Sequence, residues 1–386
     1  MRLWSLLVLG ACGSDPDTAL RETVMEAVAT EVALGQIQDF EAKSKLMADA
    51  AANYCAEPDS LEQLTAVRNA WWEAKGAMKR FEIIQFGPIV EYPERIGPKL
   101  DDWPVNASAV EDLIEGEAAL AVDDFSRMGT ATRGMPVVEY LLWSRGDDSS
   151  AFFSGSTRAC EALVGSSGDV SRSSALLTEV WSEQWVGRLT DPADHPDDAY
   201  ASSHDVLEEW VSRMSFTVEN IRKDKLGKPV GDAAGGEPQP DILESSYSQR
   251  SLEDAVDALL GVVDVWSGGE WSERGVLDLL EEDWDGLAST TSLFEVSLQR
   301  IREIPEPLEQ TINDEPEIVA RAQEALLANR VSSYWLRLLM GPAGLYVLVA
   351  DSRCFGPDPA PEDQAAILQQ LLLKHGFNVI LALSSK

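Results

Sequence analysis

A chain of 386 residues with 45% hydrophobic content is long enough for two domains, or one elongated one, and can bury a sizeable core. Its 66 acidic against 31 basic residues leave a net charge of −35, which repels phosphate backbones and excludes nucleic acid as an expected partner. The Asp and Glu are spread along the chain rather than blocked, so they describe a dispersed, solvated surface that at most collects cations.

The first predicted element stands outside the fold. Met1-Arg2 is a minimal positive start, Leu3 to Leu9 is a short apolar run, and Leu9-Gly10-Ala11-Cys12 resembles a bacterial lipobox, in which the signal is cut before a cysteine that becomes lipidated. Residues 1–11 are thus expected to be a signal peptide and Cys12 the lipid anchor. Gly13 after the cysteine resembles the default routing of diderm bacteria, which places the chain on the outer membrane facing the periplasm. No later segment holds roughly 18 uninterrupted apolar residues, so the lipid is the only membrane attachment expected. Cys55, Cys160 and Cys354 would meet an oxidising compartment, where one disulfide forms and one thiol is left over. Their spacing selects no pair and matches no zinc or redox motif.

Helical periodicity runs through almost all of the remainder. Asp15-Pro16 opens a long helix to about Tyr54, and Asp59-Ser60-Leu61-Glu62 resembles a capping box opening a second that Gly87-Pro88 ends. A Pro-rich loop over 88–105 closes on Asp101-Asp102-Trp103-Pro104, and a short helix follows from Ala107 to Glu117. Further helices are predicted from Asp169 through Trp181 and Trp185, and from about Ala199 to Lys225. Residues 227–247, with four Gly and three Pro, read as a loop or linker. Beyond it Leu252, Ala255, Val256, Leu259, Leu260 and Val263 make an amphipathic helix that Gly268-Gly269 stops, and helices are expected at about 272–303, 306–340 and 362–383. The only β-like run, Tyr346 to Val349, is too isolated for a sheet. The expected architecture is all-α, with no substantial β-sheet: an N-terminal helical bundle over 12–226, the Gly/Pro-rich loop 227–247, and a C-terminal bundle over 248–386.

One segment carries a chemical anomaly. In Arg133-Gly134-Met135-Pro136-Val137-Val138-Glu139-Tyr140-Leu141-Leu142-Trp143 a lone carboxylate lies inside an apolar helical run. Its neighbours three and four residues away are Met135, Pro136, Leu142 and Trp143, none of which can pair a charge. A bare carboxylate in such surroundings costs several kcal/mol, so Glu139 must find a cation, a donor or a proton elsewhere in the fold. Trp71 and Trp72 cannot both face one core, so one of them is expected at a groove.

Several separated blocks together resemble the imelysin-like family of bacterial envelope proteins. They are Ala70-Trp71, Phe81-Glu82 with Phe86-Gly87-Pro88, Asp102-Trp103-Pro104, the Gly134 to Trp143 run, Lys225 to Gly231, and Glu244 to Ser248 with Ser251-Leu252. The resemblance implies an all-helical fold of two bundle-like halves, in an exported and often lipidated protein associated with iron uptake and named after a proposed peptidase. The family signature Gly-x-His-x-x-Glu reads here as Gly134, Pro136 and Glu139, which looks like a branch with Pro in the histidine position. Imidazole is the favoured nitrogen ligand for transition metals, and Pro136 offers none. Iron or another divalent metal would then need oxygen ligands, with Glu139 joined by Glu82 or Asp102. Gly134, Pro136, Glu139, Glu82 and Asp102 make up the candidate pocket.

Other groups are read as structural. Asp191 to Asp198 with His195 is an acidic loop, His204 and Glu208 sit at i and i+4 without a third ligand, and His375 reads as a helix-end residue. No His-Glu-x-x-His motif or Gly-x-Ser-x-Gly elbow is present, and no catalytic residue is assigned. Three functions are therefore weighed: a non-catalytic envelope lipoprotein that binds a small ligand or metal in iron or other metal acquisition, a metal-dependent peptidase, and a module that docks an envelope partner protein without metal.

Overall fold

The computed structural model of the protein describes residues 18–195, 200–280 and 285–339. The signal segment, Cys12, Cys354, His375, the helix expected at 362–383 and the run from Tyr346 lie outside the described residues. The described residues up to Tyr334 form one compact unit; of the second unit, Trp335–Lys386, only the end of one helix is described.

The fold is all-helical, with no strand among the described residues. The longer helices are α1 (Thr18–Ala27), α2 (Leu34–Ala56), α3 (Leu61–Arg80), α4 (Ala107–Glu115), α5 (Met135–Trp143), α6 (Thr157–Val180), α7 (Ser203–Asn220), α8 (Ser251–Ser267), α9 (Asp285–Arg302), α10 (Leu308–Asp314) and α11 (Pro316–Leu339). A π-helical turn, Val28–Ala33, joins α1 to α2, and another, Ile221–Gly227, extends α7. Helix α2 packs between α3 and α6, while α3 also carries α8 and α5.

Local chemistry explains several boundaries. Ser60 caps α3 by accepting from the Gln63 N–H at 3.3 Å, and Asn106 caps α4 by accepting from Ala109 at 3.1 Å. Helix α3 stops at Arg80, short of the expected Gly87-Pro88, and a single 3₁₀ turn, Phe81–Ile83, follows. Asp169 does not start a helix. Ser156 caps α6 at 3.1 Å from the Ala159 N–H, and Asp169 lies buried in mid-helix, where it receives the Arg133 guanidinium at 2.7 Å and Arg172 at 2.7 Å. The segment expected as one helix over 306–340 is two, because Pro316 cannot continue a helix but can begin one.

The core is rich in aromatic rings. Phe86 packs on Trp210 at 5.0 Å and on Trp181 at 5.8 Å between ring centres. Gly87 beside it has φ +58°, and a Cβ there would stand 2.8 Å from the Trp185 ring, so glycine is required. Cys55 and Cys160 are free thiols that meet between α2 and α6, with the Cys55 Sγ 3.7 Å from the Cys160 carbonyl oxygen.

Candidate functional site

Helix α5 is held in place at both ends by α3. The Trp71 indole N–H donates to the Met135 carbonyl at 3.0 Å, and Arg68 donates to the Leu142 carbonyl at 2.6 Å. Gly134 turns the chain into the helix at φ +86°, where a Cβ would stand 2.5 Å from the Leu100 carbonyl oxygen. Pro136 sits in the first turn, where its missing N–H costs nothing. Of the two tryptophans, Trp71 is fully buried, while Trp72 faces the Arg250 guanidinium at 5.3 Å.

These restraints project Glu139 into the interior, where it is 4% exposed. Its Oε1 accepts from both the backbone N–H and the hydroxyl of Ser248, each at 2.8 Å. The donor comes from a tight loop, Glu244 to Arg250, in which Ser245 (φ 49°) and Gln249 (φ 60°) take left-handed conformations. Such backbone costs of order 1–3 kcal/mol per residue and persists only where its surroundings fix it. Burial pushes the Glu139 carboxyl up to about 7, and the Ser248 bonds and the Lys75 charge only partly offset it. Glu139 and Pro136 line a cavity of about 100 Å³ together with Lys75, Trp103, Glu244 and Tyr247.

Next to it lies a buried centre of lysines and carboxylates. Lys75 and Lys79, one turn apart on α3, both reach Asp101, at 2.8 and 2.6 Å. Lys75 also meets Glu244 at 3.0 Å, and Lys79 meets Glu82 at 2.8 Å and contacts Glu244. Lys225, from the π-helical turn, joins Glu82 at 3.0 Å and Glu244 at 2.5 Å. Asp254 pairs with Arg250 and accepts from Ser245, and Arg250 reaches Asp257 at 2.6 Å. Burial opposes the ionisation of Glu244, but Lys225, Lys79 and Lys75 outweigh it and hold the carboxyl well below its ordinary value. Glu82 is likewise lowered, its burial outweighed by Lys225 and Lys79. Burial also disfavours the Lys79 ammonium, yet Asp101, Glu244 and Glu82 raise its pKa well above the usual lysine value. All three groups stay charged near neutrality.

The expected pocket residues therefore divide. Gly134, Pro136 and Glu139 share one helix start, and the last two share a cavity. Glu82 belongs to the lysine centre and lines a different, larger cavity. Asp102 accepts a hydrogen bond from the Thr130 hydroxyl. Among the described residues no three His, Cys, Asp or Glu side chains gather as metal ligands. His204 lies 3.9 Å from Glu208 on α7. Lys75, Lys79 and Asp254 carry no reading from the sequence, while Lys225 and Ser248 fall inside the family-like blocks with no role assigned to them. The signal for Lys75 was available: with Trp71, Ala74 and Met78 it lies on the buried stripe of α3, the same anomaly that marks Glu139.

The fold resembles two crystal structures. A Parabacteroides distasonis protein with the provisional name iron-regulated protein A precursor aligns with a TM-score of 0.69 at 20% identity, covering 84% of this chain and 96% of that one. An imelysin-like protein from Psychrobacter arcticum aligns with a TM-score of 0.70 at 16% identity, with the same coverages of 84% and 96%. Among curated proteins nothing matches. Residues 33–332 match the family model described as Imelysin, well over half of the sequence, and the chain belongs to the imelysin family.

Proposed function

We propose that the chain is a non-catalytic binding protein of the bacterial envelope that serves iron or other metal acquisition, tethered to the outer membrane by a lipid on Cys12 and facing the periplasm. Glu139 carries the binding reading. It is a buried carboxyl with both accepted hydrogen bonds on one oxygen, set in the wall of a 100 Å³ cavity beside Lys75. Titrating near 7, it is present in both protonation states at neutral pH and can accept from a ligand or donate to it. Family membership and the name of the Parabacteroides neighbour support the iron connection. No helix among the described residues is long and apolar enough to cross a membrane, which agrees with a lipid tether.

The donor set does not fit a bare metal ion. Pro136 supplies no ligand, and the ammonium groups of Lys75, Lys79 and Lys225 stand where a cation would have to sit among Glu82, Asp101 and Glu244. The ligand in this reading is a small molecule, or a metal carried in complex with one, held by hydrogen bonds. Native mass spectrometry with elemental analysis, on full-length protein purified without chelator, tests it. A bound species is expected in the wild type and lost in Glu139→Gln. An identical bound species in the variant, or none in the wild type, would sink the reading.

A second reading rests on the Ser248 hydroxyl, which donates to Glu139 at 2.8 Å. A serine beside a carboxylate that titrates near 7 is a nucleophile–base geometry and keeps a hydrolase in view. Covalent capture of Ser248 by a fluorophosphonate probe, absent in Ser248→Ala, would favour this reading over the first.

A further inference from the structure

We infer that Cys55 and Cys160 are a disulfide pair, and that their bond staples the end of α2 to the start of α6. Its formation in the cell rests on the export proposed above, which supplies the oxidising compartment. The pairing itself rests on geometry.

Cys55 is the residue before the end of α2, and Cys160 lies in the opening turn of α6. The two helices are neighbours and run antiparallel. Further along the same seam the Ser44 and Ser174 hydroxyls meet at 2.7 Å, so the backbones are close. At the cysteines, the Cys55 Sγ stands 3.7 Å from the Cys160 carbonyl oxygen, and the two thiols hydrogen-bond to each other. A disulfide needs Cα atoms roughly 4.4–6.8 Å apart, a separation that closely packed helices provide. The step from thiol contact to bond is then a side-chain rotation at two helix ends. Both cysteines are half-buried, so a soluble oxidant reaches them.

Cys160 is the attacking sulfur. The hydrogen bond it accepts from Cys55 holds its thiol below the ordinary value, against its own burial, while Cys55 is raised by the same bond and by burial. With glutathione disulfide as oxidant, the Cys160 thiolate attacks one sulfur and releases one glutathione thiolate. Cys55 then loses its proton to solvent and attacks the Cys160 sulfur, releasing the second glutathione. The protein gives up two electrons and two protons, and the two glutathione thiols carry them away. A protein disulfide can serve in the same exchange. The bond joins residues 105 apart in sequence. The segment between them contains α3, α4 and α5, with Lys75, Lys79 and Glu139. Closing a loop of that length removes much of the freedom of the unfolded chain, so the helices that carry the candidate site are held inside a covalent loop.

Peptide mass spectrometry tests the pairing, on full-length protein equilibrated with glutathione disulfide, then alkylated and digested without reductant. A linked Cys55–Cys160 peptide is expected. Oxidised wild type should melt roughly 5–15 °C above Cys55→Ser, and Cys160→Ser and the double variant should match Cys55→Ser. In dithiothreitol the wild type should fall to the level of the variants, which a loss of packing alone would not produce. Both cysteines alkylated after oxidation, either one linked to Cys354 instead, or a melting gap unchanged by dithiothreitol would each overturn the proposal. Alkylation in intact cells before lysis separates it from the export reading. A link that forms in the purified protein but is absent from cells counts against export, and supports the pairing.

Discussion

Glu139 is reached by a single residue of a distant loop, and that fixes how it responds to pH. Its two bonds from Ser248 favour the charged form, but burial outweighs them and the carboxyl titrates near 7 instead of 4.5. The folded state therefore holds this proton more tightly than the unfolded chain. Its contribution to stability is full below pH 4.5 and is lost as pH rises through 7, by roughly 3 kcal/mol in all. Glu82 and Glu244 act in the opposite sense: their lowered pKa values contribute stability above the ordinary carboxylate range that is lost on acidification. Glu253, raised by burial and by Glu306 to about 7, falls in the same window as Glu139, so only a difference isolates one residue. In urea unfolding at pH 5 and pH 8, wild type should lose more stability than Glu139→Gln, by a gap of roughly 2–3 kcal/mol. Parallel losses would show that Glu139 is not the buried, weakly compensated acid described. The apolar neighbours of Glu139 announced its need for a partner in the sequence alone. They could not name Ser248, because a loop more than a hundred residues away meets the helix only in the fold.

Between elements, a glycine sets helix α8 against the end of α3. A Cβ added to Gly261 would stand 1.9 Å from the Arg80 carbonyl oxygen, with backbone rather than a flexible side chain as the obstacle. Gly261→Ala must therefore separate the two helices that carry Asp254, Lys75 and Lys79, at a cost of about 1–3 kcal/mol or more. Gly155, the last residue of a short helix over Ser149–Gly155, has nothing within 4 Å of its added Cβ and serves as the control. Thermal melts should show a clear loss for Gly261→Ala and little change for Gly155→Ala; equal effects would mean that helix propensity, not contact, decides. Element chemistry was the most legible part of the sequence. Ser60 caps where its spacing placed it, and Gly268 ends α8 in a left-handed turn. Asp169 misleads because a buried acid inside a helix looks, in sequence, like an N-cap, and the Arg133 and Arg172 guanidiniums that explain it meet it only in the fold. The lysines of α3 read in sequence as solvent-facing because charge on a helix usually means solvent, whereas here four carboxylates converge on them.

At the scale of the whole molecule, the buried centre draws Lys75, Lys79, Glu82, Asp101 and Lys225 from one side of the Gly/Pro-rich segment and Asp254 from the other, with Glu244 from the segment itself. Inside this centre positive and negative groups alternate at close range, so added salt screens them little. The outer surface is different. A net charge of −35 on one chain means that exposed carboxylates largely face one another, and the compact state brings them closer than the unfolded chain does. Exposed ion pairs such as Arg300–Glu303 are too weak to reverse that balance. Salt should therefore stabilise this protein. Raising sodium chloride from about 10 mM, where the Debye length is about 30 Å, toward 1 M, where it is about 3 Å, should raise Tm steadily. Most of the gain is expected at the low end, where repulsion between neighbouring carboxylates is first screened. A Tm that falls with salt would instead show that surface ion pairs dominate, and that the acidic excess lies far enough apart to be energetically silent.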